Sequence, residues 1–275
     1  MTRTGTLPEK DRDPAVSRKS EVLLRIASAV VLGALALGAA IASPWTFLVL
    51  VIASGVIIAW EWGRLVRGTS FDLIAAIEAA AVTAVAVLLT LGHADLALIA
   101  LAAAAVAIGI ASRGTSHPVW SLAGLAYAAL PAAALVFLRS DPALGAIAVL
   151  YIFAVAWTTD TASYAAGSLI GGPKLAPSIS PHKTWSGFIV GTLAPALVGY
   201  AFALALKDNS ASKLALVSVA LALGCQLGDL LESAVKRRFG AKDMSQLIPG
   251  HGGLLDRIDG LLLAAILASL IALRD

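Results

Sequence analysis

The chain has 275 residues, of which 59% are hydrophobic and only 13% charged, with a formal net charge of +3. A soluble domain carries about 25% charged residues, so an ordinary soluble fold is excluded. The single cysteine, Cys225, lies in an apolar run and excludes an intramolecular disulfide or a multi-cysteine metal site. The apolar residues come in long blocks, such as "LALIALAAAAVAIGIA" at 96–111. Backbone groups in lipid must be satisfied within their own segment, which leaves helices and excludes open strands. The expected fold is therefore all-α, a polytopic integral membrane protein.

Residues 1–20, "MTRTGTLPEKDRDPAVSRKS", are polar with mixed charge. They read as a disordered cytosolic tail, since no hydrophobic region with a small-residue cleavage site follows as a secretory signal would require. About nine spans follow, near 22–42, 45–60, 71–91, 95–112, 119–138, 143–157, 186–206, 213–231 and 258–272. With the amino terminus in the cytoplasm, sixteen Lys and Arg residues fall on the cytoplasmic side. Four (Arg139, Lys207, Lys213 and Arg274) fall outside, which accounts for all 20. That asymmetry supports nine spans with the carboxyl terminus outside. The expected organisation is a tail (1–20), about six amino-terminal helices (21–157) and a carboxyl-terminal catalytic region (158–275) with two cytoplasmic loops and about three helices.

Alanine and glycine are frequent along the spans, which lets helices approach closely in lipid. No internal repeat of the inverted-transporter type is evident. Glu78 is the odd charge of the third span, expected to pack against a polar neighbour or to snorkel.

Two cytoplasmic segments concentrate the polar residues. In "GCQLGDLLESAVKRRFGAKD", Asp229, Glu232, Ser233 and Lys236 recur at i, i+3, i+4 and i+7 and share one helical face. An ionisable group at the membrane boundary is a functional candidate, although Asp229 could also be a helix-end charge paired with an arginine. Asp256 and Asp259 open the last span after "GHGG". Helix capping accounts for one aspartate there but not for two. Carboxylates from two helices suit an octahedral Mg²⁺ that keeps positions for water and phosphate oxygens.

Gly250, Gly252 and Gly253 permit left-handed turns whose amides can face an anion, with His251 between them. Lys236, Arg237, Arg238 and Lys242 add positive charge, which beside a span also suits anionic lipid. The other segment, "WTTDTASYAAGSLIGGPKLAPSISPHKTWSG", brings Asp160, Lys174, Ser180, Lys183 and Thr184 to the same membrane face. It reads as the opposite wall of a site for polyphosphate and metal.

The stretch "SAVKRRFGAKDMSQLIPGHGGLLDRID", 233–259, resembles the diagnostic motif of the phosphatidate cytidylyltransferases, or CDP-diacylglycerol synthases. The fixed positions are Ser233, Lys236, Arg237, Lys242, Asp243, Ser245, His251, Gly252, Gly253, Asp256, Arg257 and Asp259. "GDLLES" and "SPHKTWSG" also look like family elements, so the resemblance spans roughly the second half of the chain. Three positions depart from the common pattern: His182 for lysine, Ser186 for glutamate and Gly260 for serine.

The resemblance implies transfer of a cytidylyl group from CTP to phosphatidic acid, giving CDP-diacylglycerol and pyrophosphate. It implies Asp229 and Asp256 as ligands of Mg²⁺, alone or with a second cation. Lys236, Arg237, Lys242 and Arg257 would bind phosphates, with Asp243, His251 and Asp259 in supporting catalytic roles. Asp160, Ser180, Lys183, Thr184, Ser233, Gly250, Gly252 and Gly253 would contact substrate. The expected setting is the bacterial inner (plasma) membrane with the site at the cytoplasmic face, membrane lipid as partner, no nucleic acid, and a homodimer. The rivals are a CTP-dependent lipid kinase, which would move the γ-phosphoryl group, and a transporter or channel. A transporter would centre its polar residues near the bilayer midplane, whereas here they gather at one edge.

Overall fold

The computed structural model describes residues 14–69, 71–207, 210–248 and 252–274, with side chains described from Leu24 onward except that of Arg25. Ten α-helices follow in order: α1 (Pro14–Ala42), α2 (Pro44–Arg67), α3 (Leu73–Thr90), α4 (Ala94–Ala111), α5 (Pro118–Arg139), α6 (Gly145–Leu169), α7 (Trp185–Leu193), α8 (Ala196–Leu206), α9 (Ala211–Arg238) and α10 (Leu255–Ala272). Between α6 and α7 lies an antiparallel hairpin of β1 (Lys174–Ala176) and β2 (Ser180–Thr184).

Among the described residues seven stretches are long and apolar enough to cross a membrane, counting α7 and α8 together as Trp185–Leu206. The apolar part of α1, Ile26–Ala42, is shorter, and α10 begins with Asp256, Arg257 and Asp259. The membrane-protein class and the predominance of helix agree with expectation.

Several boundaries differ from the hydropathy reading. The first helix already starts at Pro14, so 14–20 of the expected tail are helical. Helix α6 runs twelve residues past 157, through "TTDTASYAAGSL", and α9 runs on to Arg238. Hydropathy falls where polar side chains begin, but the i→i−4 backbone ladder does not depend on them. The expected span 186–206 is interrupted at Ala194 and Pro195. Pro195 has no N–H for a bond to the carbonyl four residues back. The hairpin between α6 and α7 adds local strand to an otherwise helical molecule, outside the long apolar stretches.

Local signals fix the element ends. Ser43 caps α2 in a reciprocal capping box with Thr46, and Gly68 closes α2 in the left-handed region at φ 70°. Asp72 then caps α3 through the Ala75 amide and accepts from Arg67 Nε at 2.6 Å, locking the α2–α3 turn. Arg67 Nη1 also lies 3.8 Å from Glu78, the fully buried charge of α3, which gives that residue its polar neighbour.

Helices α2, α3 and α5 pack around Phe47, Trp62, Val82 and Leu125, while α6, α9 and α10 pack around Ile152, Val155, Leu221 and Cys225. Helix α10 touches both groups, lying against α9 and α5. At the α9–α10 crossing a Cβ on Gly228 would sit 2.6 Å from the Asp259 carbonyl oxygen. Only glycine permits this approach, which brings the acidic ends of the two helices together.

Candidate active site

A cleft of about 650 Å³ opens where α6, the hairpin, α9 and α10 meet. Its walls carry five carboxylates (Asp160, Asp229, Asp243, Asp256 and Asp259) and three cations (Lys183, Lys236 and Arg257). Helix geometry explains the grouping. Asp229, Glu232, Ser233 and Lys236 do share one face of α9, so Lys236 Nζ meets Glu232 Oε2 at 2.6 Å and Ser233 Oγ approaches Asp229 Oδ1 at 3.4 Å.

Two ion pairs then tie separate elements. Lys183 of β2 reaches Asp229 of α9 at 2.6 Å, and Lys236 of α9 reaches Asp256 Oδ1 of α10 at 2.7 Å. The other oxygen of Asp256 accepts from the Met244 amide at 2.9 Å and the Gly253 amide at 2.8 Å. Burial pushes the Asp256 carboxyl up, but the Lys236 ammonium, Glu232 and the Gly253 amide outweigh it and hold the group below the usual carboxylate value.

Behind the cleft lies an apolar cavity of about 440 Å³, walled by α1, α2, α5, α6 and α10 through residues such as Leu32, Gly33, Val51, Ala132 and Phe153. Asp160, Arg257 and Asp259 line both cavities. Polar and apolar compartments thus meet at one charged partition.

A sequence model of the cytidylyltransferase family matches residues 23–273. The chain belongs to the cytidylyltransferase family. It is 40% identical over 250 residues to a protein named phosphatidate cytidylyltransferase from Brucella suis biovar 1 (strain 1330), covering 90% of this chain and 92% of that one. Proteins of the same name from Rickettsia bellii (strain RML369-C) and Haemophilus influenzae are 40% and 42% identical over 58% and 44% of this chain. The family model and the Brucella alignment extend the likeness beyond the carboxyl-terminal motif to most of the chain.

In this cytidylyltransferase nine of the expected residues line the cleft: Asp160, Lys183, Thr184, Asp229, Lys236, Asp243, Asp256, Arg257 and Asp259. Ser233 stands behind Asp229. Thr184 also has a local task, since its Oγ1 accepts from the Gly187 amide and caps α7. Arg237 is turned away from the cleft lining and braces the fold instead. Its Nε donates to the Ile179 carbonyl at 3.3 Å and its Nη1 to that of Ala241 at 3.1 Å, tying the hairpin turn to the end of α9. Lys242 is exposed, and Ser180 sits half-buried in β2, outside the cleft lining. Gly250 and His251 lie outside the described residues.

Gly252 adopts the expected left-handed turn at φ 87°. The Gly253 amide, expected to face substrate, is taken by Asp256. Among the departures from the family pattern, His182 lines the cleft and Gly260 packs against the Cys225 backbone. Ser186 bonds to the Gly171 carbonyl and to Thr184 Oγ1.

One site residue escaped the sequence reading. Glu61 of α2 is fully buried and reaches the loop before α10, where it accepts from Ser245 Oγ, the Leu254 amide and the Leu255 amide. The signal was present, because an ionisable residue within an apolar helix is a functional candidate by default. It was masked by its position at the end of a span, between Trp60 and Trp62.

The expected metal ligands, Asp229 and Asp256, face one cleft. Among the described residues no group of three acid, histidine or cysteine side chains is placed to hold a metal ion by itself. The donor set still fits Mg²⁺, which takes one or two carboxylates and completes its shell with water and substrate phosphate oxygens. Both carboxylates already neutralise a cation, a lysine ammonium in each case.

Proposed function

We propose that this cytidylyltransferase transfers the cytidylyl group of CTP to phosphatidic acid, giving CDP-diacylglycerol and pyrophosphate. The observation that carries the reading is the partition shared by the two cavities. A substrate that is half anion and half hydrocarbon has its two halves accommodated on either side of Asp160, Arg257 and Asp259. CTP, wholly polar, belongs in the cleft.

In the reaction an oxygen of the lipid phosphate forms a bond to the α-phosphorus of CTP. The bond from that phosphorus to the bridging oxygen of the β-phosphate breaks, and pyrophosphate leaves with the electron pair. The lipid phosphate is already anionic, so no strong general base is needed, and the barrier is repulsion between like charges. Fixed cations that face the developing charge lower that barrier. Lys183, Lys236 and Arg257, which line the cleft, are the cations for this role. Asp229 and Asp256 would hold Mg²⁺, which when bound supplies charge neutralisation on the phosphate oxygens. Asp256 keeps Lys236 in place, and Asp229 does the same for Lys183.

The arrangement in the membrane belongs to the same proposal. Nine spans put the amino terminus and the cleft on the cytoplasmic face of the inner membrane and the carboxyl terminus outside. The small-residue helix faces suit a homodimer.

The test uses purified protein in detergent with phosphatidic acid, α-labelled CTP and Mg²⁺. Label recovered in CDP-lipid, together with release of pyrophosphate, is the expected result. Wild type should give it, and the Asp229→Asn and Asp256→Asn variants should not. Labelled CDP with no labelled lipid would instead indicate γ-phosphoryl transfer. No turnover by well-folded protein, or full magnesium-dependent turnover by Asp256→Asn, would overturn the reading or the metal assignment respectively.

A further inference from the structure

At the start of α10 the N-cap residue, Leu254, gives no side-chain cap. Its start carries free amides that need acceptors. The structure supplies an acceptor from the other half of the chain. Glu61 Oε2 accepts from the Leu255 amide at 2.8 Å, and Oε1 accepts from the Leu254 amide at 2.8 Å and from Ser245 Oγ at 2.6 Å. Three donors converge on one fully buried carboxyl group.

The surroundings make this a rigid attachment. A Cβ on Gly253 would collide with Glu61 Oε1, so a side chain there would have to displace the Glu61 carboxyl group. Beside Glu61, Trp62 Nε1 donates to the Trp120 carbonyl at 2.8 Å, and the Trp62 ring stacks on Tyr127 with centroids 5.0 Å apart. The end of α2 is thereby fixed to α5. Asp256 follows directly on Leu255, and its carboxylate depends on the Gly253 and Met244 amides within the same loop.

We infer that Glu61 is a positioning residue for cytidylyl transfer, a cap supplied from α2 that sets the start of α10 and so aims Asp256 at Lys236. The inference rests on the reaction proposed above. It also supplies a reason for the amino-terminal helices to take part in the site. Groups that orient a reacting constellation without touching substrate typically contribute 10- to 100-fold in activity.

The test compares wild type with Glu61→Gln and Glu61→Asp in the full chain in detergent. The readouts are steady-state kinetics, melting temperature and hydrogen exchange at the Leu254 and Leu255 amides. Glutamine keeps the shape but can turn an NH₂ group toward three donors. The expected result for Glu61→Gln is a kcat lower by about 10- to 100-fold with KM for CTP changed less than about threefold. Faster exchange should be confined to the start of α10. Glu61→Asp, which retains two acceptor oxygens on a shorter arm, should recover part of kcat.

A kcat within about twofold of wild type for Glu61→Gln would overturn the positioning role. So would a loss of kcat with exchange raised throughout the helices, since that is general loosening. Unchanged exchange at Leu254 and Leu255 would overturn the cap itself, whatever the activity. A wild type that forms no CDP-lipid would strike the proposed reaction instead, and the exchange comparison would still decide whether Glu61 caps α10.

Discussion

Lys236 gives the sharpest separation between what holds the site together and what the site does. Its ammonium is shared by Glu232 Oε2 at 2.6 Å and Asp256 Oδ1 at 2.7 Å, and those side chains are only 1% and 3% exposed. Replacing it by methionine keeps the length of the side chain and leaves two buried carboxyl groups facing each other without a cation. Removing one partner of a buried pair costs about 3–5 kcal/mol. Lys236 is itself 12% exposed, so the lower end of that range applies. For a protein of this size about 1 kcal/mol shifts Tm by about 2–4 °C, so Lys236→Met should lower Tm in detergent by about 6–12 °C.

The double variant Glu232→Gln/Lys236→Met removes one of the stranded carboxyls. Asp256 then retains its two amide donors. The double variant should therefore be more stable than Lys236→Met alone, with a coupling of about 1–3 kcal/mol, typical of side chains in contact. Turnover should not follow stability, because both variants have lost one of the three cations that line the cleft. Both variants should lose at least about 100-fold in kcat, the usual cost of deleting a group that stabilises developing charge. A double variant melting at or below the temperature of the single would refute the shared-cation account. A Lys236→Met enzyme with a tenth or more of wild-type kcat would refute the catalytic role.

Two further outcomes test other parts of the structure. A Cβ at Gly33 has nothing within 4 Å, and Gly33 lines the apolar cavity, so Gly33→Leu can be accommodated there by filling part of that cavity. KM should rise about tenfold for a long-chain phosphatidic acid and less than about twofold for a short-chain one, and equal changes would remove the cavity from the substrate's path. At the α2–α3 turn, burial raises the Asp72 pKa but Arg67 and the Ala75 amide more than offset it, leaving the group below its ordinary 3.8. Its stabilising contribution is therefore complete above that value and is lost as pH falls through the lower folded value. Asp72→Ala should cost about 2 kcal/mol near neutral pH and less in strong acid, read as Tm against pH.

The parts of this molecule that could be read from sequence are those set by local geometry. The face of α9 that carries Asp229, Glu232, Ser233 and Lys236 follows from helical periodicity alone, and the structure keeps it. The left-handed turn at Gly252 follows from residue type. Pairings across the chain do not follow from either. Lys183 meets Asp229 only because the hairpin folds back from α6, and nothing in the spacing of the two residues says so. Arg237 stands in the motif beside Lys236, yet one step along a helix turns a side chain by about 100°, away from the cleft and toward the hairpin turn.

Glu61 shows how the two halves of the chain depend on one another. The motif at 233–259 contains the carboxylates and cations, which makes the carboxyl-terminal region look self-sufficient. The donors at Ser245, Leu254 and Leu255 find their acceptor 184–194 residues away, on α2. Buried backbone donors must be satisfied, so the loop can hold this conformation only while α2 is packed against it. The apolar cavity makes the same demand, since much of its wall comes from α1, α2 and α5. The amino-terminal helices therefore supply both the wall of the apolar cavity and the support for Asp256. The boundary near residue 157 divides the sequence pattern, but the site is built from both sides of it.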